Sequence, residues 1–394
     1  MKHIGIKNVL LTVLTVGLLL QGCSAAGKTR AAIKIVPMPA ADSAASQAVS
    51  SAAPDADTTV SFLAAGDNVL HEAVYKDTLT ASGGYDFSPI YQSIAPEVQK
   101  SDFAFINQEG PLGGTSLGLE GYPLFNAPQE AGTALVRTGF NLISQANNHA
   151  LDFGFNAIAS TCTFWKSQSG VVMAGMNANA DDYGSIPVLT KKGVKIAFIA
   201  YTWSLNGIAY PAGKQWCVQT DFNDVLDKVR RARTMADVVV VSVHWGDEYQ
   251  NQINSEQKSQ AKQFADAGAD IIIGNHPHVI QNIEWLSAAD GRKTLCAYAM
   301  GNFLSSQGYF ENVIGGMLEL NITKSGSGIT LQNVRFVPIV TFYIPGFKDF
   351  RVYLLSDFTA QIAAQHGLAY KDDLSQAHIK QYVSSIISPE FYSR

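Results

Sequence analysis

Two histidines stand one residue apart at the end of an apolar run, Gly268-Ala269-Asp270-Ile271-Ile272-Ile273-Gly274-Asn275-His276-Pro277-His278. Neutral imidazole is the commonest side-chain metal ligand, and two such groups at a strand end suit Zn, Mn or Fe. Pro277 fixes its own φ and biases His276 toward an extended backbone, which stiffens the pair without making both rings converge. Taken alone, the stretch reads equally well as a polar loop. Recurrence changes that reading. Five of the eight histidines (His71, His149, His244, His276 and His278) fall just past β-prone runs, and so do Asp67, Glu109, Asn148 and Asp152. Two carboxylates, an amide oxygen and three or four imidazoles on one rim suffice to hold two divalent ions. Such a pair clamps a phosphoryl or carbonyl oxygen and acidifies a bound water.

The runs that must position these groups are short and apolar. Thr58 to Ala65 leads to Gly66-Asp67, Asp102 to Ile106 leads to Asn107-Gln108-Glu109, and Asn141 to Ser144 leads to Ala146-Asn147-Asn148-His149 and Asp152. Asp237 to Val243 is the clearest buried strand, and His244-Trp245-Gly246-Asp247-Glu248-Tyr249 follows it directly. Helical periodicity fills the intervals at 155–169, 221–235 and 255–267, the last opened by Asn254 as N-cap with Gln257 three residues on. Alternation of strand and helix from 58 to 280 predicts βαβ units whose strands end on a common rim, where open α/β folds place ligands. Beyond 280, Leu295 to Met300 reads as a strand, and 316–323 with 329–340 as an antiparallel pair. Residues 111–128 read as a loop over the site. Within it Tyr122, Phe125 and Asn126 are in a position either to touch a substrate or simply to pack. The Asx groups at 147, 148 and 152 also suit helix capping.

Composition bounds the rest. A charged content of 15% and a net charge of −5 leave no basic footprint, so no nucleic-acid partner is expected. Lys2, His3 and Lys7 precede an apolar run from Val9 to Leu20, a secretory signal too short for a confident membrane span. Leu20-Gln21-Gly22-Cys23 resembles a bacterial lipobox, which implies cleavage before Cys23, lipidation of its sulfur and a membrane anchor. The expected organisation is a signal peptide at 1–22, an Ala/Ser-rich tether at 23–57, a main domain at 58–345 and a C-terminal extension at 346–394 packed on or beside it. Cys162, Cys217 and Cys296 are far apart, form no CxxC pair and read as buried thiols.

Six segments occur in an order that carries a family resemblance: Gly66-Asp67, Asn107-Gln108-Glu109, Ala146 to Gly154, His244 to Tyr249, Gly274 to Val279 with Gln281, and Met300-Gly301-Asn302-Phe303. Over residues 58 to 345 the chain resembles the CapA family of poly-γ-glutamate capsule biosynthesis proteins, relatives of the calcineurin-like metallophosphoesterases. The resemblance implies an α/β fold, a four-layer αββα sandwich of metallophosphatase type with a dimetal rim. It implies metal ligation by Asp67, Glu109 (bridging), Asn148, His244, His276 and His278. His149 takes the role of an acid beside the reacting oxygen, and His71, Asn147 and Asp152 are further ligands or supports. The sequence departs from the superfamily pattern at Asn68-Val69, where Asp-x-His is usual, at Glu109 in place of Asp, and at Asn275 in place of His.

These readings converge on an extracytoplasmic, lipid-anchored protein with two divalent ions, Mn, Zn or Fe. Its expected partner is an anionic surface polymer such as poly-γ-glutamate, handled by metal-dependent, phosphoesterase-like hydrolysis. The alternative is a non-catalytic scaffold or export subunit beside membrane-embedded synthase subunits.

Overall fold

A computed structural model describes residues 57–393. The predicted signal segment 1–22, Cys23 and the tether up to residue 56 lie outside the described residues. Fourteen strands follow in chain order: β1 (Thr58–Val69), β2 (Phe103–Glu109), β3 (Leu142–Ser144), β4 (Val172–Ala174), β5 (Val188–Lys191), β6 (Val194–Thr202) and β7 (Val238–His244); then β8 (Ile271–Asn275), β9 (Ile283–Ser287), β10 (Lys293–Ala297), β11 (Asn302–Leu304), β12 (Ile314–Ser325), β13 (Gly328–Ile344) and β14 (Lys348–Leu354). They form two sheets. The first runs β14-β13-β12-β1-β2-β3-β4, with β11 paired in parallel to β1; the second runs β5-β6-β7-β8-β10-β9. Strands β1 to β4 are mutually parallel, as are β6, β7, β8 and β10, so each sheet delivers several carboxyl ends to one edge.

Alternation along the second sheet explains the layering. Ile196, Phe198, Val238, Val240, Ile271, Ile273 and Leu295 face the core shared with the first sheet. Their neighbours Ala197, Ile199, Val239, Val241, Ile272 and Cys296 face the helices Phe222–Ala232 and Ser255–Ala267 on the other side. A strand covered on both faces has no polar side to show, so it reads as an unbroken apolar run. Each such Val or Ile contributes about 1.5–3 kcal/mol by leaving water. Across the interface Phe105 of β2 meets Phe198 of β6, ring centroids 5.8 Å apart. On the far face of the first sheet Tyr91, in the short helix Ser88–Tyr91, stacks on Phe303 and donates to Asn68 Oδ1 at 2.9 Å. The result is helix, sheet, sheet, helix: the αββα order predicted. The helix Ser255–Ala267 carries the predicted capping box: Asn254 accepts from Gln257 N at 2.8 Å, and Gln257 Oε1 accepts from Asn254 N at 3.1 Å.

Residues 346–393 belong to the same compact unit as the rest of the described chain. β14 is the edge strand of the first sheet, and Phe358, Ile379, Val383, Ile387 and Phe391 are buried in its core. No helix among the described residues is long and apolar enough to cross a membrane. Cys162, Cys217 and Cys296 are free and buried.

Beside the site the two sheets are stitched through Met300 and Gly301. Asp67 N donates to Gly301 O at 2.9 Å, Met300 N to Gly274 O at 3.4 Å, and Gly316 N to Met300 O at 2.9 Å. Close approach demands glycine there: a Cβ on Gly66 would lie 1.8 Å from Gly301 O, and one on Gly274 would lie 1.8 Å from Tyr298 O. Backbone cannot move aside as a flexible side-chain tip can. Gly274→Ala should therefore cost about 3 kcal/mol or more, whereas Gly326→Ala, in open space at the β12–β13 turn, should change stability by under about 0.5 kcal/mol. Urea unfolding of the two variants checks this, and equal midpoints would contradict the packing described.

Candidate metal centre

All six expected ligands arrive at the shared edge. Asp67 lies near the end of β1, Glu109 is the last residue of β2, and Asn148 follows β3. His244 is the last residue of β7, and His276 and His278 follow β8. Each sheet thus contributes three, and all six are buried.

The side chains fall into two groups around Glu109. Asp67 Oδ2 lies 3.2 Å from His278 Nδ1, and Glu109 Oε1 lies 3.8 Å from His278 Nε2. Ligand atoms of Asp67, Glu109 and His278 all lie within 4.8 Å of one another. On the other side Asn148 Oδ1 lies 2.9 Å and His276 Nδ1 3.1 Å from His244 Nε2, which is itself 3.8 Å from Glu109 Oε1. Glu109 therefore stands between the groups, where a bridging carboxylate belongs. Neither of its oxygens has a hydrogen-bond partner, although both are buried. A buried carboxylate with no hydrogen-bond donor on either oxygen costs several kcal/mol even with an imidazolium nearby. A cation held between His244 and His278 is the species that would offset this, so the residues present fit divalent metal.

The backbone around the histidines is unusual. Sequence reasoning expects His276 to be extended ahead of Pro277; instead it sits at φ 101°, and His278 at φ 58°. Non-glycine residues avoid this region unless the surroundings impose it. Here His276 N donates to Asp67 Oδ2 at 3.3 Å, Asn312 Nδ2 to His278 O at 2.9 Å, and Tyr249 N to Pro277 O at 2.8 Å. Tertiary hydrogen bonds override the local preference.

His149 stands apart from the two groups. Its Nδ1 meets Asp152 Oδ2 at 2.7 Å, and its ring lies edge-on to Phe125, centroids 4.6 Å apart. Nε2 is then the ring nitrogen left for the pocket that His149 lines together with Glu109, His71 and His278. The following helix, Gly154–Lys166, begins five residues later and takes no side-chain cap, so His149 is not spent on capping. His71 lines the same pocket, with Nδ1 accepting from Ser306 N at 3.3 Å, rather than joining the Asp67 group. Asn147 accepts from Gly110 N at 3.1 Å and donates to Gln108 O at 3.0 Å. Its amide is spent on the backbone on either side of Glu109, so it braces that carboxylate and does not face a metal. Tyr122 and Phe125 also line the pocket, whereas Asn126 is buried and holds Gly113 N at 2.8 Å.

Three supports escape sequence reasoning. Asn206, in the loop after β6, accepts from Asn148 Nδ2 at 3.2 Å and so turns Asn148 Oδ1 toward His244. Asn302 Oδ1 meets His278 Nδ1 at 3.0 Å, and Asn107 Nδ2 donates to Asp67 Oδ1 at 2.8 Å. Asn107 and Asn302 sit inside recognisable segments, but only the folded chain shows what they touch. For Asn206 the one local cue is the Asn-Gly turn it begins.

Electrostatics follows from burial and proximity. Burial pushes the Glu109 carboxyl up to about 7, with His278 opposing and Asp67 reinforcing. Burial works against charge on His278, but Glu109 and Asp67 outweigh it and raise the imidazole to about 9. Burial and His278 lower His276 to about 4, and burial with His276 drives His244 well below the ordinary range. His149 is raised: burial opposes its charge, and the Asp152 hydrogen bond and the Glu109 charge prevail.

Metal binding must therefore displace the proton on His278, which is present below about pH 9. Affinity for Zn or Mn should rise as pH increases toward that value, with proton release on binding. Calorimetric titration at pH 7.5 in buffers of different ionisation heat reads the release; a heat independent of buffer would contradict it. His244→Ala should lose metal by elemental analysis.

Residues 61–307 match the family model described as bacterial capsule synthesis protein PGA_cap. The chain is similar to the PGA biosynthesis protein CapA of Bacillus subtilis (strain 168), 30% identical over 259 residues that span 64% of this chain and 66% of that protein. It is also similar to the capsule biosynthesis protein CapA of Bacillus anthracis, 28% identical over 256 residues, 62% of this chain and 60% of the other. Among solved structures, the Haemophilus influenzae NAD nucleotidase NadN is similar with a TM-score of 0.45 at 12% identity, covering 84% of this chain and 57% of that one. The chain spans less than two thirds of the length of either CapA relative. With more than half of its residues inside the matched model, the chain belongs to the bacterial capsule synthesis protein PGA_cap family.

Proposed function

We propose that this chain is an extracytoplasmic, lipid-anchored protein of capsule or poly-γ-glutamate biosynthesis whose rim performs metal-dependent hydrolysis on that polymer or a related substrate. The observation that carries the reading is Glu109, buried between His244 and His278 with both oxygens unpartnered. Asp67, Glu109 and His278 would hold one divalent ion, and Asn148, His244 and His276 a second, shared through Glu109. Such ions, as Mn, Zn or Fe, polarise a substrate oxygen and acidify water. The chain's own residues supply the rest. His149, oriented by Asp152, holds a proton on Nε2 and presents it to the oxygen or nitrogen that gains charge. Phe125 packs against His149 and His71 and keeps water off that side.

His149→Ala should keep its metal and lose turnover by about 10²–10³-fold, the usual loss for one electrostatic donor. Steady-state kinetics on metal-analysed protein, against phosphoesters and γ-glutamyl polymer, measures this; undiminished activity would remove His149 from the reaction. The names of the relatives speak of biosynthesis, which favours a second reading: a non-catalytic subunit that binds or presents polymer beside a membrane synthase. Wild-type protein that binds metal yet turns over neither substrate supports that reading. Anchoring rests on Leu20-Gln21-Gly22-Cys23. Mass spectrometry of the mature N-terminus should find a diacylglycerol-modified Cys23, and an unmodified N-terminus in the medium would reject it.

A further inference from the structure

The pocket above Glu109, His149 and His278 holds about 260 Å³ and is completed by Val69, His71, Tyr122, Phe125, Glu248, Tyr249 and Gln307. None of these is lysine or arginine. An anionic polymer offering a carboxylate at every unit would find no lysine or arginine here; the positive charge available to it would come from the floor, from His149 and from His278 or the metal that displaces its proton. The mouth has the opposite character. Glu248 is exposed, and its charge is felt by Glu109, His276 and His278. Tyr122 and Tyr249 line the same pocket, 76% and 52% exposed, large rings in water that the core does not need. Tyr249 tilts toward His278, centroids 6.2 Å apart, and its hydroxyl accepts from Gln307 Nε2 at 3.5 Å. Gln307 Oε1 is in turn held by Asn302 Nδ2 at 2.8 Å, so the mouth is tied to the same asparagine that meets His278.

A carboxylate flanked by aromatic faces is the environment that recognises an ammonium group, through a charge-assisted hydrogen bond and cation–π attraction. We propose that this pocket receives the free amino end of a polyamide chain, with the terminal ammonium at Glu248, Tyr249 and Tyr122 and the first amide carbonyl over the Glu109 floor. Interior units of a γ-glutamyl polymer carry a carboxylate as their only charged group and are repelled by Glu248, whereas the amino-terminal unit adds an ammonium beside its carboxylate. The site therefore reads chain ends, not chain middles. This rests on the hydrolytic reading only for the location of the floor; the selectivity itself is a binding property.

The test uses two probes, a γ-linked glutamate tetramer with a free amino end and the same tetramer N-acetylated. Binding to the zinc-loaded protein is measured by calorimetry, with zinc content checked in every variant. Wild type should prefer the free amine by about tenfold, the combined scale of one exposed charged contact and one cation–π contact. Glu248→Gln should erase the preference, and Glu248→Lys should reverse it. Equal affinity for the two tetramers, no binding of either, or a preference that survives Glu248→Gln each overturns the proposal. Absence of turnover with the preference intact rejects the hydrolytic reading and leaves chain-end recognition standing. Cleavage at interior bonds with no end preference does the reverse.

Discussion

The structure depends on the seam at Met300 and Gly301, where the backbone beside the site bonds to both sheets. Gly301 O takes the N–H of Asp67, and Gly274 O takes the N–H of Met300. Half of the candidate ligands come from each sheet, so their separation is set by how close the sheets come at this edge. Hydrophobic burial holds the sheets together over their length but is non-directional and tolerant of small slips. Hydrogen bonds and backbone contacts at Gly66 and Gly274 are not. They convert a packed sandwich into a fixed distance between Asp67 on one sheet and His276 and His278 on the other.

What that distance creates is an electrostatic problem. Two carboxylates and three imidazoles are placed in an interior where charges are weakly screened. In the protein alone the tension is relieved by protons: His278 is held charged by Glu109 and Asp67, while His244 and His276 are forced neutral. Glu109 still has no donor to either oxygen. A divalent cation held there would remove the need for the His278 proton and give Glu109 its partner at the same stroke. The supporting asparagines carry no charge into this crowd. Asn107, Asn206 and Asn302 each hold a ligand through a neutral amide, which orients without adding to the field.

Of the eight non-glycine residues at positive φ among the described residues, four lie in the same place. His276, His278, Asn206 and Tyr249 are all non-glycine residues at positive φ, and all four lie in loops around the site. Each such residue costs on the order of 1–3 kcal/mol and persists only where its surroundings insist. The core strands meet that cost: β7 and β8 are buried on both faces and set the loop ends rigidly. The loops are thereby free to hold conformations that aim side chains rather than minimise local energy.

Much of this is written in the chain itself. The βαβ order, the runs at 237–243 and 271–273 and the capping box at Asn254 follow from periodicity and local hydrogen bonding, which adjacent residues decide among themselves. That Asp67, Glu109, Asn148, His244, His276 and His278 share a rim is also legible, because parallel strands put their carboxyl ends on one edge whatever the connections do. Other features are not local. β5 and β9 are short edge strands whose partners, not their own residues, make them strands. Residues 348–354 join the first sheet through β13. The left-handed His276 contradicts its own dipeptide preference because Asp67, 209 residues away, captures its N–H. The division of the rim into two groups about Glu109, the use of Asn147 as a brace, and the gathering of Tyr122 into one pocket with Glu248 and Tyr249 arise the same way. Sequence determines what each segment prefers and which face it buries; tertiary structure alone decides which side chains from different segments meet, since their contacts span separations along which the sequence carries no periodic signal.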